Sequence, residues 1–221
     1  MRRHLALALL SAILPLAACQ RGPGGDSPLR APTGLDAVAP DSFVVRFATS
    51  RGDIDVMVHR AWAPRGADRL HWLVTHGFYD GTRFFRVVPG FVAQFGVSPD
   101  PAISDAWRDR TIADDSVRTP NARGTLTFAS AGPDSRTTQL FINLTDNPQL
   151  DPMGFAPVGR IAPAGMAVVD SLYGGYGEGY PGGAGPDQAR IFSEGEPYLA
   201  REFPKLDRIV TATVPQQWGK R

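Results

Sequence analysis

The sequence predicts a mainly β protein, a closed antiparallel barrel with helices over its ends. Three observations carry this expectation. The 221 residues include 24 Gly and 20 Pro, enough to punctuate the chain with turns. Between those turns, short apolar runs recur at period two. Two longer stretches, near 64–77 and 164–173, instead carry helical spacing.

The elements follow in order. Gln20 to about Asp41 is rich in Pro, Gly and small polar residues, and reads as a flexible tether. Phe43, Val45 and Phe47 then alternate with Val44, Arg46 and Ala48. After Ser50-Arg51-Gly52-Asp53, Ile54, Val56 and Val58 share a face, which makes the pair a hairpin. Pro64 suits a first helical position, Ala67, Leu70, Leu73 and Val74 form an apolar stripe, and Gly77 marks the stop.

Phe84 to Val88 and Phe91 to Phe95 flank Pro89-Gly90 and read as strand, turn, strand. Arg86 interrupts the first of these runs. A buried guanidinium without a partner is very costly, so Arg86 is expected to face outward, over a surface shared with aromatic rings and the Gln94 amide. Residues Ser98 to Asn121 are polar with three prolines and read mostly as loop. In Gly124 to Ala129, Leu126 and Phe128 face one way. In Gln139 to Leu144, Leu140, Ile142 and Leu144 suit a core, which sends Gln139 and Phe141 to the opposite face.

Val158 to Ile161 is a short strand, and Met166, Val169 and Leu172 mark the second helix. Gly174 to about Gly185 is a Gly-rich loop. Glu196 to Glu202 makes a brief helical turn, and Leu206 to Val214 is the last strand. The expected organisation is a leader over 1–18, a tether over 19–41, one domain over 42–214 and a tail over 215–221.

Composition narrows the function classes. Hydrophobic content of 43% and charged content of 20% describe an ordinary globular domain. A formal net charge of +1 without a basic stripe gives no support to a nucleic-acid partner. His59, His71 and His76 lack metal-ligand spacing, so neither a metal nor another cofactor is expected. Gly177-Glu178-Gly179-Tyr180-Pro181-Gly182 formally matches a dinucleotide fingerprint. It follows a helix rather than a strand and contains Pro181, so it is read as a flexible loop. No serine sits in a nucleophile elbow.

Cys19 is the single cysteine, so no intramolecular disulfide forms. A basic start, Met1-Arg2-Arg3-His4, precedes an apolar run from Leu5 to Leu16 that is short for a membrane span. Leu16-Ala17-Ala18-Cys19 then resembles the lipobox of bacterial lipoproteins, in which cleavage precedes the cysteine and its sulfur is acylated. The resemblance implies a chain lipid-anchored through Cys19. Gln20 follows where an Asp would indicate inner-membrane retention, so an outer-membrane position facing the periplasm is expected. The alternative is a plain secretory signal with a chance cysteine.

Two segments resemble the signature segments of the cyclophilins. The first is Phe84-Phe85-Arg86-Val87-Val88-Pro89-Gly90-Phe91-Val92-Ala93-Gln94. The second is Gly124-Thr125-Leu126-Thr127-Phe128-Ala129-Ser130-Ala131-Gly132, resuming at Gln139-Leu140-Phe141-Ile142. Phe78 to Thr82, Leu150-Asp151 and Val158 to Arg160 fall in the same order. The resemblance covers 42–214 and implies an eight-stranded barrel and peptidyl-prolyl cis-trans isomerase activity. Arg86 resembles the family's catalytic arginine, with Gln94 hydrogen-bonding a substrate carbonyl. Phe91, Val92, Phe141 and Leu150 would line the proline pocket, with Phe155 at its edge. Ala129 and Ala131 would offer backbone to the peptide, and Gln139 would support the site.

The sequence departs from the family pattern at Phe85, Phe95, Val97 and Ser130. Gln149 stands where many members carry a tryptophan that aids cyclosporin binding, so weak cyclosporin affinity is expected. The expected partners are proline-containing segments of exported proteins, met by a monomer. The second function class is a docking module or chaperone that kept the fold but not catalysis. A pure docking surface has no need of Arg86.

Overall fold

A computed structural model describes residues 27–219. The chain opens with the expected hairpin, β1 (Ser42–Thr49) and β2 (Gly52–His59). Its register sets Phe43 opposite Val58, Val45 opposite Val56 and Phe47 opposite Ile54, and all six side chains are fully buried. Period-two alternation has placed one whole face of the ribbon in the core. Helix α1 (Pro64–Thr75) follows, with Pro64 in its first turn and Ala67, Leu70, Leu73 and Val74 buried against that ribbon and its neighbours.

The remaining strands are β3 (Arg86–Val87), β4 (Val92–Phe95), β5 (Thr125–Phe128), β6 (Leu140–Asn143), β7 (Pro157–Ile161) and β8 (Ile209–Trp218). Together they form one eight-stranded antiparallel sheet in the order β3-β4-β6-β5-β7-β2-β1-β8. The sheet is an open half-barrel, not the closed barrel expected. Strand β3 is too short to build a ladder against β8, and its outer edge bridges Val87 to Gly177 instead. The two ends touch where the chain enters them, through an Arg83–Arg208 bridge and a bond from the Phe84 N–H to the Asp207 carbonyl at 2.9 Å.

The described residues hold five α-helices where two were expected with a further brief turn. Besides α1 these are α2 (Pro101–Trp107), α3 (Pro163–Asp170), α4 (Gln188–Glu194) and α5 (Glu196–Glu202). Helices α2 and α4 are seven residues long, too short for a 3.6-residue period to show in sequence. Each is started by an aspartate cap, Asp100 accepting from the Ala102 N–H at 2.9 Å and Asp187 from the Ala189 N–H at 2.8 Å.

Residues 27–41, expected as the end of a tether, lie against the domain. The Leu29 carbonyl accepts the indole N–H of fully buried Trp107 at 2.9 Å, and the Thr33 carbonyl accepts that of Trp72 at 3.0 Å. The Ala39 N–H is bonded to Asp68 at 2.8 Å. Strand β8 also runs beyond the expected boundary at Val214, pairing Gln216 with Val44 and Trp218 with Ser42 across an irregularity between Val44 and Arg46. Pro215 is tolerated there because β8 ends the sheet and its outer edge needs no donor. The leader and Cys19 lie outside the described residues.

Candidate active site

Three adjacent strands build the site. In β3 and β4, Arg86 is opposite Gln94; in β4 and β6, Gln94 is opposite Phe141. Cross-strand partners share a face, so the three side chains form a row on one side of the sheet. Leu140 and Ile142, flanking Phe141, point to the other side and are fully buried. The hairpin between β3 and β4 turns at Pro89-Gly90, where Gly90 takes a φ of +74° that favours glycine, and Phe91 N–H closes onto the Val88 carbonyl at 3.0 Å.

Beside this row, Val92, Phe141 and Leu150 make an apolar cluster with Phe91, Ala129 and Phe155 packed against it. A short 3-10 turn, Pro148–Leu150, brings in Leu150, and the Phe155 N–H bonds back to the Leu150 carbonyl at 3.3 Å. Phe155 meets Phe141 edge-on, with ring centroids 5.7 Å apart. The Asn147 side-chain amide donates to the Phe91 carbonyl at 3.1 Å and fixes the slot's opposite wall.

The resulting cavity measures about 260 Å³ and is lined by these residues with Arg86, Gln94, Ser130 and Met153. It is smaller than most drug-sized pockets, a volume suited to one small ring. A larger hollow of about 610 Å³, between Val38, α1 and the end of β8, shares no residue with it.

The Arg86 guanidinium overhangs the slot, 5.6 Å from the Phe91 ring centroid, with its side chain 19% exposed. Its Nη1 donates to Gln94 Oε1 at 3.1 Å, and Gln94 Nε2 donates to Gln139 Oε1 at 2.8 Å. On the other flank, Nε and Nη2 donate to the two oxygens of Glu178 at 2.5 and 2.7 Å. The Arg86 hydrogen bonds hold the Glu178 carboxyl below the usual carboxylate range, against the opposing effect of partial burial. Of the five guanidinium N–H groups, these bonds use three. Two remain for a ligand.

Eight of the ten expected site residues in the domain line the slot; Ala131 and Gln139 do not. Both line an adjoining polar hollow of about 210 Å³ with Gln94, Ala129, Ser130 and Gln188. Gln139 reaches the slot residues through its hydrogen bond with Gln94. The Ala129 N–H is bonded to the Gln139 carbonyl at 2.9 Å and the Ala131 N–H to Ser135 Oγ at 2.8 Å. Sequence reasoning missed Met153, Ser130 and, above all, Glu178. The signal for Glu178 was a lone carboxylate in an otherwise uncharged Gly-Pro loop between Asp170 and Asp187.

Comparison with known proteins defines the class as peptidyl-prolyl cis-trans isomerase. The chain is 36% identical over 141 residues to peptidyl-prolyl cis-trans isomerase A of Dickeya dadantii, covering 61% of this chain and 73% of the relative. It is 34% identical over 143 residues to a peptidyl-prolyl cis-trans isomerase of Acinetobacter baylyi, covering 62% and 76%. Residues 44–182 match the sequence model of the cyclophilin type peptidyl-prolyl cis-trans isomerases, and the chain belongs to that family. The crystal structure of a cyclophilin type isomerase from Cryptosporidium parvum shares the fold, with a TM-score of 0.59 at 21% identity over 80% of this chain and 99% of that one.

Proposed function

We propose that Arg86 drives the isomerisation by donating a hydrogen bond to the prolyl nitrogen as the Xaa-Pro bond twists. The reading is carried by the row Arg86, Gln94 and Phe141 standing across three strands at the mouth of the apolar slot.

The Xaa-Pro bond resists rotation because the nitrogen lone pair is delocalised into the carbonyl, and uncatalysed exchange takes tens to hundreds of seconds. The slot formed by Phe91, Val92, Phe141, Leu150 and Phe155 grips the pyrrolidine ring while the preceding carbonyl swings. In the twisted state the nitrogen becomes pyramidal and regains its lone pair. A free Arg86 N–H then bonds it, an interaction weak in either planar state, so the effect falls on the barrier. No proton changes hands, and a permanently charged donor is suited to the role. A five-decade acceleration requires about 7 kcal/mol of differential binding, within reach of one charge-assisted hydrogen bond with oriented binding. Gln94, whose carbonyl is already on Arg86, orients the guanidinium as well as contacting the substrate, and Gln139 orients Gln94.

The clients proposed are exported proteins, met by an enzyme anchored to the outer membrane through lipidated Cys19. The Leu16-Ala17-Ala18-Cys19 sequence supports this setting. Cys19→Ser is expected to move the protein from the membrane to the soluble fraction when expressed in a Gram-negative host. Unchanged membrane fractionation of the variant contradicts the anchor.

A further inference from the structure

Glu178 lies in the loop between α3 and α4, on the far side of the Arg86 guanidinium from the slot. It lines a separate polar recess with Phe85, Arg86, Gln94, Tyr180 and Gln188, and is absent from the slot wall. The carboxylate therefore does not compete with a proline ring for space.

The loop around it is built, not merely close. Gly177 bridges Val87 on the free edge of β3, one residue from Arg86. The Glu178 carbonyl accepts the Gly185 N–H at 2.8 Å, and the Glu178 carboxylate accepts the Gly179 N–H at 2.9 Å. A Cβ on Gly185 would lie 2.7 Å from the Glu178 carbonyl oxygen, so this closure requires glycine. The glycines that make the segment read as a flexible loop are what let it fold back and present one acid to Arg86.

We infer that Glu178 is a positioning residue for catalysis, locking the plane of the Arg86 guanidinium so that its unused N–H groups are held over the slot. The inference rests on the Arg86 reading given above. Gln94 alone, with one contact at 3.1 Å, fixes a point on the guanidinium but not its plane. The two-point grip of the carboxylate on Nε and Nη2 removes that rotation before substrate arrives. It also offsets the charge of Arg86, so that the slot receives a neutral prolyl segment without preferring acidic peptides.

The test compares wild type, Glu178→Gln, Arg86→Ala and the double variant by NMR exchange on a short Xaa-Pro peptide, using the full chain. Glu178→Gln is expected to lower kcat about tenfold with KM nearly unchanged. The Arg86 Nε–H resonance should shift and exchange faster with water. Adding Glu178→Gln to Arg86→Ala should cost nothing further, because the acid acts only through the arginine. A Glu178→Gln enzyme as fast as wild type, or faster, overturns the inference. So does an equal further loss in the Arg86→Ala background, which marks a structural role. An Arg86→Ala enzyme as fast as wild type defeats the Arg86 reading itself, which separates the two failures.

Discussion

Arg86→Ala is expected to lower kcat/KM on a short Xaa-Pro peptide by about 10²–10³-fold, the loss typical of one preorganised donor removed from a developing charge. The apolar slot is left intact, so peptide binding should persist and the loss should fall mainly on kcat. Folding stability should change little. The Arg86–Glu178 pair is part-exposed, with the Glu178 side chain 43% accessible, and solvent screens such pairs to under about 1 kcal/mol. Arg86→Lys is expected to resemble alanine, since an ammonium cannot grip Glu178 and Gln94 while still offering a donor to the substrate. NMR exchange or a protease-coupled assay reads both variants. If Arg86→Ala retains wild-type rates, the guanidinium plays no part in the barrier.

The second large effect concerns stability. Asp115 and Arg136 form a buried ion pair, each side chain 2% exposed, with both Nη atoms of Arg136 3.1 Å from Asp115 Oδ2. The same carboxylate accepts the Arg65 and Gly66 N–H groups at 3.1 and 2.9 Å, so it caps the first turn of α1, which has no side-chain cap of its own. Asp115→Ala strips two helix donors and leaves a desolvated guanidinium with only the Ala113 carbonyl and the more exposed Asp114. The expected cost is about 3–5 kcal/mol. For a chain of this length that lowers Tm by ~10 °C. Activity per folded molecule should be unchanged, because Asp115 is not a slot residue. A loss below about 1 kcal/mol by denaturant titration would mean that water replaces the carboxylate without penalty.

The legible parts of the fold were those written in side-chain period. Phe43, Val45 and Phe47 against Ile54, Val56 and Val58 gave β1 and β2, and the parity of Leu140 and Ile142 put Phe141 on the working face. What escaped was written in the backbone. The helices α2 and α4 complete too few turns for a period, although Asp100-Pro101 carried a cap signal. Residues 29–39 bind the domain partly through the carbonyls of Leu29 and Thr33, which any sequence possesses. The open edge of the sheet follows from β3 having two residues, a length that apolar pattern alone overestimates.

The same division runs through the site. Phe91, Val92, Phe141, Leu150 and Phe155 came together around one slot. Ala131 lines the adjoining hollow, where the chain after β5 bends at Ser130 and closes onto Ser135. Glu178 is distant from Arg86 in sequence, and it is loop closure, with the Val87–Gly177 bridge, that brings the two together. A pairing set by loop closure shows in the sequence only as that lone carboxylate, with nothing local to name its partner.

The most direct test is a crystal structure of the protein with a short Xaa-Pro peptide. The account predicts the pyrrolidine ring between Phe141 and Leu150, with an Arg86 nitrogen about 3 Å from the prolyl nitrogen or the carbonyl before it. A proline ring seated elsewhere, or an Arg86 side chain turned away from a ring that does occupy the slot, would contradict it.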